Sequence, residues 1–211
     1  MKTYLFDFDG TLVDSMSTFA SVMLKILDDH GIKYGDDTIK IITPLGYQGT
    51  AEYFQKLGIN MPTQKLITLM IEEMKDEYTY RITAKDGVTN TLNELKEKGA
   101  SLNILTASPH DVLDPCLKRL KIFDLFDNVW SCDDFKTTKA NPEIYKMAAE
   151  KLGRRIDEII FVDDNINAIK TAKLAGANAY GIFDNSSKDF IQDMKNASDR
   201  YIESFSELLT Y

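Results

Sequence analysis

The sequence predicts an α/β fold: a three-layer Rossmann-like core with a mainly parallel sheet, plus an inserted all-helical cap domain. Three observations carry that prediction. Short β-type runs recur at residues 4–8, 102–105, 129–130, 159–162 and 177–182. Most are apolar almost throughout, as parallel strands covered on both faces must be. Helical patterns separate the later runs, and strand–helix–strand alternation marks an open α/β sheet, with ligands at the carboxyl ends of its strands.

Taken in order, the first run is YLFDF, followed by the break DGTLVDS. Residues 15–83 then hold almost nothing strand-like. Phe19, Val22, Met23, Ile26 and Leu27 share a helical face, as do Ile67, Met70, Ile71 and Met74. The methionines read as core filler. Between these patterns, TPLGYQGT at 43–50 reads as a glycine-bearing loop. The expected organisation is a core of residues 1–14 and 84–211 with a helical domain over 15–83, hinged near Ser15 and Ala84. Val88, Leu92 and Leu95 mark the next helix. Pro115 interrupts the stretch 111–120, so a break is expected there, with Asp114 as N-cap and Pro115 in the first helical position. Ile144, Met147, Ala148 and Leu152 give the helix before the fourth run.

Composition narrows the function classes. The 211 residues are 44% hydrophobic and 27% charged, enough for a real core. A net charge of −8 argues against a nucleic-acid or membrane footprint, though not against a local anion site. Cys116 and Cys132 lack metal-ligand spacing and suggest no disulfide framework. No apolar stretch approaches the roughly 20 residues of a membrane helix, and Asp7 comes too early for a signal peptide. A cytoplasmic protein acting on a small molecule is expected; the sequence leaves its oligomeric state open.

Chemistry concentrates at the strand ends. Burying charge costs several kcal/mol, so Asp7 and Asp9 belong where the chain leaves the core. Residues i and i+2 of an extended chain point the same way, so both acids can converge while Phe8 points aside and Gly10 turns the backbone. Paired carboxylates suit attack and proton transfer. The second strand ends in Thr106-Ala107-Ser108, with a hydroxyl and backbone N–H groups. The fourth ends in Asp163-Asp164-Asn165. Lys139 lies in KTTKANPEIY, before a helix that Asn141 can cap and Pro142 open. Singly, each has an ordinary explanation as a turn, a cap or a solvated lysine.

Together they resemble the haloacid dehalogenase-like (HAD) superfamily across essentially the whole chain. DFDGTLVDS matches its first motif, ILTAS the second, Lys139 with NPEIY the third and FVDDN the fourth. The helical insertion looks like the type-one cap. The tail DRYIESFSEL resembles the closing strand and helix of the phosphoglycolate-phosphatase-like and β-phosphoglucomutase-like branch. Two departures stand out: Ala140 follows Lys139 where proline is common, although Pro142 is retained, and Ala168 stands where other members place another aspartate.

The resemblance implies a Mg²⁺-dependent phosphatase for a small phosphorylated metabolite. A −1 carboxylate approaching a −2 phosphoryl group meets roughly 8 kcal/mol of repulsion at about 4 Å and an effective dielectric near 20, so cations are needed. By resemblance Asp7, Asp164 and the Asp9 carbonyl hold Mg²⁺, with Asp163 supporting or ligating, and Lys139 adds a further positive charge. Thr106 and the backbone near Ala107 and Ser108 hold the phosphoryl oxygens beside Gly10. Asp7 attacks, and Asp9 protonates the leaving oxygen and later deprotonates water. Tyr47 and Gln48 are candidate leaving-group contacts; Arg81 reads as surface charge.

Three alternatives are weaker. A β-phosphoglucomutase-like enzyme often has a histidine in the first cap helix; the corresponding position here is Phe19. A phospho-receiver lacks both a helical insertion and an acid at the Asp9 position. A silent binding protein is expected to have lost a motif residue, and none is missing.

Overall fold

The computed structural model describes residues 2–210, without the side chain of Pro44. Among them, six strands form one sheet: β1 (Thr3–Phe6), β2 (Ser101–Thr106), β3 (Asn128–Ser131), β4 (Ile159–Asp163), β5 (Asn178–Ile182) and β6 (Arg200–Ile202). Every pairing is parallel, in the order β3-β2-β1-β4-β5-β6. The order reverses beside β1, so a crevice opens at the carboxyl ends of β1 and β4, where such sheets bind ligands.

Alternate residues feed two apolar layers. Tyr4, Phe6, Leu102 and Ile104 face one side, Leu5, Leu105 and Phe161 the other. Four helices come first: α1 (Met16–Asp29), α2 (Thr38–Ile42), α3 (Gly46–Leu57) and α4 (Thr63–Tyr80), all between β1 and β2. The remaining five are α5 (Val88–Glu97), α6 (His110–Arg119), α7 (Glu143–Lys151), α8 (Ile166–Ala175) and α9 (Ile191–Ala197). Helices α5 and α6 cover the first face, and α7, α8 and α9 the second. The inserted helices bury Phe19, Met23, Phe54, Met70 and Met74 in the same apolar cluster as the first face, continuous through Phe8, Leu12 and Val13. No helix among the described residues is long and apolar enough to cross a membrane.

Several local expectations are corrected. Strand β1 stops at Phe6, not at residue 8. The Asp7 N–H still reaches Val162 O at 2.9 Å, but the Phe8 carbonyl then accepts from Leu12 and Val13, which curls the chain out of the sheet. Helix α6 runs unbroken through Pro115. An interior proline costs about 3 kcal/mol, and burial of Val112, Leu113, Cys116 and Leu117 outweighs it. Residues 43–50 are not a plain loop: a 3₁₀ turn at Thr43–Leu45 leads into α3, so Tyr47 and Gln48 sit in a first helical turn. In α7, Tyr145 and Ala149 share the buried face and Met147 is exposed. The tail closes with β6 and a 3₁₀ segment, Phe205–Thr210, rather than an α-helix.

Candidate active site

Asp7 leaves the end of β1 with a buried side chain beside the end of β4. Lys139 Nζ lies 2.7 Å from Asp7 Oδ1 and donates to Asp163 Oδ2 at 2.7 Å; the Asp7 contact is an ion pair without hydrogen-bond alignment. Tyr145 fixes this lysine loop by donating to the Lys139 carbonyl at 3.1 Å. Burial alone would lower the Lys139 pKa, but Asp163 and Asp7 hold it well above its ordinary value.

The acid doublet is available because another residue does the capping. Asn165 Oδ1 accepts from the N–H groups of Asn167 and Ala168 at the start of α8, while Asp163 Oδ1 accepts from Asn165 N at 2.7 Å. Asp164 turns toward the first-motif loop, where Thr11 Oγ1 donates to its Oδ1 at 3.1 Å and accepts from its N–H at 3.2 Å. Gly10 has φ +71°, and a Cβ there would lie 2.4 Å from Asp164 Oδ2. Only glycine tolerates that close approach in that conformation.

Asp9 lines the same cavity but keeps different company. Its Oδ1 accepts from Ser15 at 2.6 Å and Tyr78 at 2.5 Å, and its Oδ2 from Ser108 at 2.5 Å. Burial, then the Asp7 charge, raises its pKa, and the three hydroxyls oppose that rise. Of the second-motif groups, Thr106 Oγ1 accepts from the Ser108 N–H at 3.1 Å. The Ser108 N–H and hydroxyl are therefore both engaged within the protein, and Ser108 acts on Asp9 in this arrangement.

Asp7, Asp163 and Asp164 are all buried and offer carboxylate oxygens within 4.8 Å of one another. Burial raises the Asp163 pKa to about 7, with Asp7 adding and Lys139 opposing. Asp164 is raised well above its ordinary range by burial, then by Asp163, Asp7 and Asp184, against Lys85. Three crowded acids with one neighbouring ammonium fit a divalent cation; hard oxygen donors are what Mg²⁺ takes.

Sequence reading missed Lys85, Thr11 and Tyr78. Lys85 Nζ donates to Gly10 O at 2.6 Å, Phe183 O at 2.7 Å and Asp184 Oδ2 at 3.0 Å, tying the chain after α4 to the first-motif loop. Thr11 and Ser15 lay inside the quoted first motif. Tyr78 carried no signal beyond helical spacing. Its carbonyl and that of Ile82 accept from Arg119, which anchors the end of α4 on α6.

The site opens into a cavity of about 650 Å³ lined by Asp7, Asp9, Thr106, Lys139 and Asp164 on one side and by α1, α3 and α4 on the other. Tyr47 and Gln48 both line it. The Tyr47 hydroxyl is buried beside Tyr78 and Ser108, and burial with the nearby Asp9 charge raises its pKa. Gln48 donates to Glu52 at 2.6 Å. Arg81 is exposed and paired with Glu77.

Residues 4–182 match the family described as haloacid dehalogenase-like hydrolase. The chain is 31% identical over 181 residues to pyrophosphatase PpaX of Bacillus velezensis, covering 84% of this chain and 81% of that protein. It is 28% identical over 203 residues to the phosphoglycolate phosphatase of Salmonella typhi, covering 84% and 79%. A hydrolase from Pseudomonas syringae has the same fold, with a TM-score of 0.84 at 23% identity over 99% of this chain and 96% of that one. With the family matched over most of its length and relatives named as phosphatases, this chain belongs to the haloacid dehalogenase-like hydrolases and is one of their phosphatases.

Proposed function

We propose that the chain is a Mg²⁺-dependent phosphatase that hydrolyses small phosphate monoesters through an aspartyl-phosphate on Asp7. The observation that carries this reading is the convergence of Asp7, Lys139 and Asp164 on one wall of the cavity, with the buried Asp163 paired to Lys139 behind it and Asp9 on the same cavity and not paired to Lys139. Asp7, Asp164 and the Asp9 backbone carbonyl would hold Mg²⁺, with Asp163 supporting them, and the ion would supply positive charge against the phosphoryl oxygens.

The protein's own residues do the rest. Asp7 attacks phosphorus, and Lys139 screens the charge between it and the ester. Thr106 and the backbone near Ala107 orient the phosphoryl oxygens beside Gly10. Asp9, its pKa raised by burial, protonates the leaving oxygen and then takes a proton from the water that cleaves the intermediate. Residues 15–83 act as the cap. Supporting that boundary, the two linkers run side by side through the Val13–Ala84 bridge and the Asp14 N–Thr83 O bond at 3.0 Å. Closure over the cavity excludes water from the attack. The free, buried Cys116 and Cys132 favour a cytoplasmic setting. Phe19, buried and packed edge-on against Tyr47, cannot carry a proton, which disfavours the mutase alternative.

Asp7→Asn and Asp9→Asn test the assignment with p-nitrophenyl phosphate and Mg²⁺. Each folded variant is expected to lose at least about 100-fold in turnover. Acid quenching should trap phosphate on the wild type and none on Asp7→Asn. Full turnover by either variant removes that residue from its role.

A further inference from the structure

Resting on the phosphatase reading, the lining of the cavity also constrains which ester it accepts. Among the described residues that line it, Lys139 is the only cation, and it is already paired with Asp7 and Asp163. The wall opposite the strand ends is apolar where Met16, Phe19, Leu45, Ile67 and Ile71 face the cavity. Its polar members are neutral, Thr43, Tyr47, Gln48, Gln64 and Tyr78, or acidic, Glu52. Asp133 adds another acid at the core side. Positive side chains of the inserted segment are not among the lining: Lys25 pairs with Asp29 and Glu73, Lys40 with Asp189 and Arg81 with Glu77, and Lys56, Lys65 and Lys75 are exposed.

We infer that the substrates are monoesters of uncharged alcohols, such as a sugar, a nucleoside or an alkyl or aryl alcohol, and that this cavity disfavours a leaving group bearing a carboxylate or a second phosphate. A second anion would need a cationic partner on the cap side to offset its desolvation, and would instead find an apolar wall and the Glu52 carboxylate. An uncharged alcohol meets apolar surface and neutral hydrogen-bonding groups. The reaction is ordinary hydrolysis: the P–O bond to the alcohol breaks, the alcohol leaves with a proton, and water supplies the oxygen that releases phosphate. The inference separates this chain from relatives whose names specify pyrophosphate or phosphoglycolate, both of which put a second anion on the leaving side.

The test is phosphate release by the full chain with Mg²⁺ from two sets of esters. One holds p-nitrophenyl phosphate, a hexose 6-phosphate and a nucleoside 5′-monophosphate; the other holds phosphoglycolate, pyrophosphate and a hexose bisphosphate. The best ester of the first set is expected to exceed every member of the second by at least 30-fold in kcat/KM. Glu52→Lys is expected to narrow that ratio at least tenfold, mainly through KM for the anionic set, and Gln64→Lys serves if Glu52→Lys fails to fold. Equal or better turnover of an anionic ester by the wild type overturns the inference, as does an unchanged ratio in the folded lysine variant. Loss of all turnover, p-nitrophenyl phosphate included, instead overturns the phosphatase reading beneath it.

Discussion

Replacing Lys139 with methionine removes the ammonium while keeping much of the side-chain volume. Lys139, Asp7 and Asp163 have side chains only 13%, 7% and 0% exposed, so solvent screens their interaction little. Leaving a buried carboxylate without its partner costs about 3–5 kcal/mol. Proton uptake sets a ceiling of similar size. Keeping one aspartic acid protonated at about pH 7.5, against an ordinary pKa near 3.9, costs about 5 kcal/mol. In a chain of this length each kcal/mol moves Tm by about 2–4 °C, so Lys139→Met is expected to melt about 6–20 °C below wild type. The assay is thermal unfolding by circular dichroism in EDTA at neutral pH. Lys40→Met, which breaks an exposed pair with Asp189, is the control and should shift Tm little. Turnover should vanish in Lys139→Met. Saturating Mg²⁺ should restore part of the lost Tm but none of the activity. Melting of Lys139→Met alongside the Lys40→Met control would refute the electrostatic account of this site.

Three further outcomes follow from the same geometry. Gly10→Ala forces an L-residue to φ +71°, about 1–2 kcal/mol, and drives a methyl group into Asp164; a modest drop in Tm with at least a tenfold loss of apparent Mg²⁺ affinity is expected, read by titrating activity with the metal. Tyr78→Phe deletes one of three hydroxyls on Asp9, a bond to a charged group being worth about 1.5–3 kcal/mol; kcat should fall about tenfold or more with KM nearly constant, and an equal change in both would point to a merely structural role. The metal-free protein should lose stability as pH rises from about 4 to 7. Asp163 is lifted from 3.8 to about 7 on folding, and Asp164 and Asp9 are raised as well, so the native state binds more protons than the unfolded chain across that window. Because Mg²⁺ competes with those protons, it should raise Tm more at pH 8 than at pH 5, as scanning calorimetry can show.

Local chemistry made much of this site legible in the chain. Strand runs, their apolar character and the residues at their carboxyl ends are short-range features, so Asp7, Lys139, Asp163 and Asp164 stood out as a set. Prediction failed for two different reasons: four side chains buried against distant segments carry α6 through Pro115, whereas a local turn, in which the Phe8 carbonyl accepts from Leu12 and Val13, ends β1 two residues early. As with α6, a distant contact hid Tyr78, which sits 69 residues from Asp9 and looked like one more helix position.

By itself, then, the amino-acid sequence determined which acids and which lysine are present, the α/β alternation that carries them and the long helical interruption after the first strand. Only the tertiary structure decided that Lys139 faces Asp7 and Asp163 while Ser15, Tyr78 and Ser108 hold Asp9, and that the inserted helices turn an almost uncharged wall toward the site. The reason is physical. Composition and periodicity fix what each segment can form, whereas the partner of a charge depends on which distant segments burial brings within about 3 Å of it.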